Sequence, residues 1–299
     1  MDRNYFQAPI LFITYKRANI ALKVFEQIRK IKPKQLFISS DGPKDNSEQE
    51  TIFNLRDSLL NAVDWKCDLK LFFYEKNLGC RKAVSQSIDN FFNQVEHGII
   101  LEEDCFPSLS FFYYCEELLE KYKFDERVYS ISGFNQQNIW NPDRYDYFYS
   151  KLGNCWGWAS WKRCWKEYDV DINDFNEFQE QNGFEYSLGR KLGLIKKEMI
   201  YKGAILRESD TWAMQWGYLR HKKNALTCIP AKSLIQNIGF GKEATHTKEE
   251  AFTNVKNHEF AFPLKDNPFM VPDFKYDDLM FMQPNIFKRY LKWILKRLK

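Results

Sequence analysis

Along the first 135 residues, short apolar runs alternate with helical stripes of apolar positions. Ile10 to Ile13 is a continuous apolar block, the signature of a short buried strand. Between Asn19 and Ile31 the positions Ile20, Val24, Ile28 and Ile31 recur every third or fourth residue, which predicts a helix. Leu36 to Ile38 predicts a second strand, closed by the turn sequence Ser39-Ser40-Asp41-Gly42-Pro43. A polar helix over 47–62, a strand over 69–74, a break at Asn77-Leu78-Gly79 and a helix over 80–93 follow. Gly98 to Leu101 predicts a fourth strand that stops abruptly at Glu102-Glu103-Asp104. A helix over 110–123 and a strand over 128–132 complete the pattern.

Repeated strand-helix units of this length predict a mostly parallel sheet covered on both faces, an α/β fold. The second half is less regular. A loop is expected over 134–149, a Trp-rich segment from Gly153 to Trp165, a helix from Asp210 to His221, and short strands at 227–230 and 233–238. With no internal repeat and no linker, the expected layout is a single domain over 1–275 and a tail over 276–299.

Composition narrows the class. Aromatic residues make up 17% of the 299, too many for a disordered chain, and 13 Gly with 10 Pro are too few for a fibrous one. No apolar run approaches the ~18 residues of a membrane span. The block from Ala8 to Ile13 is also too short for a signal-peptide core. The seven cysteines are odd in number and form no CxxC, which points to reduced, buried thiols in a cytoplasmic protein.

Net charge is +4, but the segment Ile286–Lys299 alone carries six basic residues and no acid. The body is therefore slightly acidic, which argues against a nucleic-acid-binding surface. In the tail, Phe287, Leu291, Ile294 and Leu298 fall on one helical face, and most of the basic residues fall on the other. A basic amphipathic helix of this kind predicts peripheral contact with an anionic membrane surface. A terminal helix packed on the domain is the alternative.

Ligands of such sheets bind beyond the carboxyl ends of the strands. That rule selects Thr14, Tyr15 and Arg17, then Asp41 and Gly42, then Asn77, Gly79 and Arg81, and finally Glu102, Glu103 and Asp104. Three adjacent carboxylates repel unless a cation or donors compensate them. Oxygen ligands of this type suit Mg²⁺ or Mn²⁺ held together with substrate phosphates. Asp41 can bond a base or ribose, or simply close an Asp-Gly turn. Arg81 opens a helix after a Gly turn, where a diphosphate is favoured.

Asp210 can act as a general base or stabilise the first turn of its own helix. Trp156 and Trp158, flanking Gly157, can stack on an acceptor sugar or belong to the core. His246 is a candidate metal or phosphate ligand. Asp169-Val170-Asp171 has metal-ligand spacing but lies in a polar loop. Gly239 to Ala244 matches a dinucleotide fingerprint only loosely, and no P-loop motif occurs.

Together, Pro9 to Arg17, Phe37 to Gly42, Asn77 to Gly79, Ile100 to Asp104, Gly153 to Trp158, Glu208 to Asp210 and Asn237 to His246 resemble a GT-A nucleotide-sugar glycosyltransferase. The likeness is to the N-acetylglucosaminyltransferase I type and to bacterial family 2-like enzymes. It implies a GT-A (Rossmann-like) sheet flanked by helices and an inverting, metal-dependent transfer. The donor would be a nucleotide-diphosphate sugar and the acceptor a glycan or lipid-linked glycan, in assembly of a bacterial surface polysaccharide.

The resemblance also implies roles. Asp41 would contact the base, and Arg17 and Arg81 the ribose or diphosphate. Asp104 would hold the metal, with Glu102 and Glu103 near the ribose and the metal's waters, and Asp210 would be the base. The sequence departs from the family in reading Glu-Glu-Asp rather than Glu-Asp-Asp, and Asp-Thr-Trp rather than Asp-Asp-Trp, which leaves Glu208 as a rival base. A sugar-phosphate nucleotidyltransferase would need a Gly-rich loop after the first strand, and Thr14 to Arg17 has no glycine. A catalytically inactive sugar-binding module is the third possibility.

Overall fold

The computed structural model describes residues 6–189, 201, 210–240 and 254–281. Glu208, His246 and the segment Ile286–Lys299 lie outside the described residues.

The predicted alternation is present. Strands β1 (Ile10–Thr14), β2 (Gln35–Ser40), β3 (Asp68–Phe73) and β4 (His97–Glu102) alternate with helices α1 (Ala18–Ile31), α2 (Asn46–Asn61) and α3 (Cys80–Phe92). Then come β5 (Cys105–Pro107), α4 (Leu109–Lys121), β6 (Val128–Ser132), β7 (Tyr147–Ser150) and β8 (Trp158–Trp161). Short helices α5 (Lys162–Trp165), α6 (Phe175–Glu180) and α7 (Gly183–Leu188) precede α8 (Ala213–Lys222). Strands β9 (Leu226–Pro230) and β10 (Ile235–Asn237) and helix α9 (Phe274–Phe281) follow.

Among the described residues the main sheet has the order β3-β2-β1-β4-β8-β6-β9-β7, and β5 pairs with β10 in a separate ribbon. β1 to β4 pair in parallel, whereas β8 runs antiparallel to both β4 and β6. The chain steps outward from β1 to β3 and returns to place β4 on the other side of β1. In open sheets of this kind such a reversal is where a ligand-binding crevice lies, beyond the carboxyl ends of β1 and β4.

All five residues of β1 are buried, as a strand covered on both faces requires. Phe12 packs against Phe25 of α1, and Phe37 meets Phe91 of α3 edge-on at 4.9 Å. Phe37 is in register with Leu11, the neighbour of Phe12, so α1 and α3 cover opposite faces of the sheet.

Three strands escape the sequence pattern. β7 falls inside the expected loop over 134–149: Tyr-Phe-Tyr-Ser is buried throughout and shows no polar alternation. β8, Trp-Ala-Ser-Trp, is equally buried. β5 is only three residues long. The expected boundary at residue 275 falls within a helix. It cuts through α9, where Tyr276 is 1% exposed and the Asp277 carboxylate accepts from the Ser150 hydroxyl. No helix among the described residues is long and apolar enough to cross a membrane. All seven cysteines are free thiols.

Candidate functional site

The four strand-end segments selected from the sequence come together at the crevice. Thr14, the last residue of β1, is buried and donates its hydroxyl to the Ser39 carbonyl (3.0 Å). The Tyr15 amide donates to Glu103 Oε2 at 2.7 Å. Arg17 then crosses the crevice, with Nε on Glu103 Oε1 (2.6 Å), Nη2 on Asp104 Oδ2 (2.9 Å) and Nη1 near the Gly239 carbonyl (3.5 Å). This guanidinium supplies the compensation that the acidic strand end requires. Burial works against its charge, but Asp104 and Glu103 outweigh it and hold Arg17 firmly protonated.

Glu102 behaves differently. Burial pushes its carboxyl up to about 8, and the charges of Asp104 and Glu103 add to the effect. The Trp212 side chain hydrogen-bonds it, which partly offsets the shift. The folded protein therefore keeps a proton that the unfolded chain releases above its ordinary pKa of 4.5, so stability falls as pH rises from there toward about 8. Glu102→Gln removes that loss. In chelator-treated protein, its melting temperature should gain on the parent between pH 5 and pH 8 by on the order of a few degrees per pH unit. Parallel curves for the two proteins would contradict the assignment.

Asp41 joins two loops. Its Oδ1 accepts from the Gly42 amide (2.8 Å) and the Leu78 amide (2.9 Å), and its Oδ2 accepts from Asn77 Nδ2 (2.9 Å). Burial raises its pKa, and these backbone donors pull the other way. Behind it lies Arg56, which the sequence analysis missed. Arg56 Nη2 donates to the carbonyls of Ser40, Asp41 and Tyr74, tying the ends of β2 and β3 together. A signal was available: Arg56 sits beside the stripe Ile52, Leu55, Leu59 on the buried side of α2. Glu48 was also missed. It accepts from the Tyr15 hydroxyl, from Lys16 Nζ (2.8 Å) and from the Lys44 amide (3.0 Å). Those bonds, Lys16 foremost, hold Glu48 down to about 2.

Two expectations change at the start of α3. Gly79 has φ +80°, and a Cβ there would meet Asp210 Oδ2 at 2.8 Å. Asp210 instead caps α3, with Oδ2 accepting from the Cys80 amide (2.7 Å) and Oδ1 from the Arg81 amide (3.0 Å). The amides of Cys80 and Arg81, where a diphosphate was expected, are thus already bonded to a carboxylate of the same chain. A helix N-terminus favours an anion, and Asp210 provides one. Nor does Asp210 lie in the first turn of its own helix: α8 begins at Ala213, with Trp212 as N-cap. Burial, then the charges of Glu102, Asp210, Asp41 and Asp104, push the Cys80 thiol up.

Trp158 is corrected as an acceptor platform. It is 0% exposed and packs with Trp165, Trp212 and Trp216 inside the core, so no ring face meets solvent. Trp156 is partly exposed and packs edge-on against Phe134 and Phe240. Gly157 has φ +62° and turns the chain between the two indoles. The Asp169-Val170-Asp171 segment is a self-bonded loop: Asp169 accepts from the amides of Asp171 and Asn173.

Among the described residues no group of three or more His, Cys, Asp or Glu side chains is arranged to hold a metal. A single carboxylate fits the mode in which phosphate oxygens complete the shell. Asp104 offers one: its Oδ2 is on Arg17, while among the described residues its Oδ1 accepts only the weak Cys105 thiol donor (3.6 Å). The β5–β10 ribbon holds that carboxylate in place, with the Ile238 amide on the Asp104 carbonyl (2.9 Å). Gly239 lies so close that a Cβ would meet Asp104 Oδ2 at 2.3 Å.

No protein-family model matches the chain, and no curated protein matches it. Among solved structures it is similar to a cytidylyltransferase from Leptospira borgpetersenii, with 9% identity over 60% of this chain and 73% of that one, at a TM-score of 0.36. It is similar to 4-diphosphocytidyl-2C-methyl-D-erythritol synthase from Anaerococcus prevotii, with 12% identity over 58% and 84% of the two chains, at 0.33. Mouse xyloside xylosyltransferase 1 is similar with 10% identity over 72% and 81%, at 0.36.

Proposed function

We propose that this chain transfers a sugar from a nucleotide-diphosphate donor to a glycan or lipid-linked glycan hydroxyl, with inversion, in bacterial surface polysaccharide assembly. The observation that supports this most is the convergence of Thr14–Arg17, Asp41–Gly42, Asn77–Arg81 and Glu102–Asp104 on one crevice at the strand-order reversal. The resemblance of those segments to GT-A glycosyltransferases supplies the reaction class.

In this reading the loops joined by Asp41 and Asn77 receive the base and ribose, and Arg17 presents its guanidinium toward the diphosphate. Asp104 would hold a Mn²⁺ or Mg²⁺ ion. When bound, that ion neutralises charge on the departing diphosphate. Arg17, fixed by two carboxylates, gives the leaving group a preorganised positive partner. Asp210, at the mouth of the crevice, takes the acceptor's proton as its oxygen attacks the face opposite the leaving group.

A thermal-shift panel of nucleotide-sugars with and without Mn²⁺ tests the donor assignment. One donor class should stabilise the protein by about 2.7 kcal/mol at a hundred times its Kd, and only with the metal. No stabilisation by any nucleotide-sugar would refute it.

The tail extends the proposal to the cytoplasmic membrane surface. Each cation of Ile286–Lys299 would add about 1 kcal/mol near an anionic leaflet. Full-length protein should pellet with anionic liposomes at low salt, and a chain ending at Gln283 should remain in solution. Equal pelleting would remove the membrane from the account.

A further inference from the structure

A second cavity lies apart from the crevice. It has a volume of about 450 Å³ and sits beside edge strand β7, between the segments 140–148 and 267–273. Its position is set by the sheet. β4 and β6 both run antiparallel to β8, so they run parallel to each other, and β9 runs parallel to β6. Tyr147, the first residue of β7, pairs with Pro230, the last of β9. The entry of β7 is therefore at the same sheet end as Thr14 and Glu102. It stands four strand spacings from β4, about 19 Å.

The cavity walls are preorganised. Trp140 donates Nε1–H to Asp273 Oδ2 (2.8 Å), and its ring packs edge-on against Tyr276. The Asp273 amide bonds the Tyr149 carbonyl (2.8 Å), fixing the far wall to the sheet. Trp140 and Tyr145 are partly exposed, and Phe269, on the rim, is 58% exposed.

Polar groups with unused bonding capacity stand among these rings. The Asn141 side-chain amide and the Arg144 guanidinium have no hydrogen-bond or acid partner among the described residues. Asn267 uses only its Oδ1, on the Phe269 amide (3.0 Å). Aromatic faces beside free amide and guanidinium donors and a carboxylate match a ligand with apolar C–H faces and many hydroxyls. Asp273 and Arg144 are the one acid and the one base among the lining residues, so the wall carries no net charge and nothing in it selects a phosphorylated ligand.

We infer that this cavity is a saccharide-binding site for neutral sugar units. Its use as a hold for an extended acceptor glycan, several sugars from the reacting end, rests on the transferase reading. The binding itself does not.

The test is saturation-transfer NMR and intrinsic tryptophan fluorescence on the full chain, titrated with neutral gluco-, manno-, galacto- and N-acetylhexosamine oligosaccharides and their phosphorylated counterparts. At least one neutral series should bind. Phe269→Ala and Arg144→Ala, both at exposed positions, should weaken it about tenfold or more. Asp104→Ala should leave it unchanged. No neutral oligosaccharide bound at about 10 mM would overturn the inference. So would affinity that follows Asp104 rather than Phe269 and Arg144, or stronger binding of the phosphorylated series. Loss of nucleotide binding with saccharide binding intact would instead refute the donor assignment alone.

Discussion

Asp104→Ala should lower transfer by about 10³-fold or more and abolish Mn²⁺-dependent nucleotide binding. The carboxylate stands just after β4 between Arg17 and Gly239, and among the described residues its Oδ1 is met only by a thiol. Arg17 keeps its 2.6 Å partner Glu103 in the variant, so the guanidinium is not left alone in a site where its side chain is 13% exposed. The fold should hold. Asp104→Asn, which preserves shape, controls for any local collapse: it should bind nucleotide weakly and stay inactive. Near-normal turnover in either variant would show that Asp104 serves only as the partner of Arg17.

Asp210→Asn is the second large effect. The amide side chain can still accept from one of the Cys80 and Arg81 amides but cannot take a proton from the acceptor. We expect kcat to fall about 10²-fold or more while donor affinity stays within a few-fold. Stability should drop by no more than the ~1 kcal/mol of a helix cap. Because Asp210 caps α3, a purely structural role makes a different prediction: a lower melting temperature with kcat preserved. Measuring both in one preparation separates the two.

The first half of the fold was legible because β1, β2, β4 and α1 to α4 bury their apolar residues with regular periods. The strand-end rule then located the crevice from those elements alone. What it could not supply was the pairing within it. The Arg17 clamp on Glu103 and Asp104 joins residues 86 and 87 positions apart, and no local pattern encodes that. Asp210 reads as the start of its own helix because an acid in a first turn is the commoner arrangement, yet its carboxylate lies on a helix 130 residues away. Trp158 reads equally well as a sugar platform or as core. Only its packing against Trp212 at 5.6 Å decides for core. β7 and β8 were hidden because buried aromatic strands have neither polar alternation nor turn residues within them.

The most direct test of the central claim is product analysis by ³¹P and ¹H NMR, with full-length protein, Mn²⁺ and the donor selected by thermal shift. Donor hydrolysis or transfer should release nucleoside diphosphate, with the sugar's anomeric configuration inverted in the first product. Release of pyrophosphate from a nucleoside triphosphate and a sugar phosphate, or no diphosphate from any donor that binds, would contradict it.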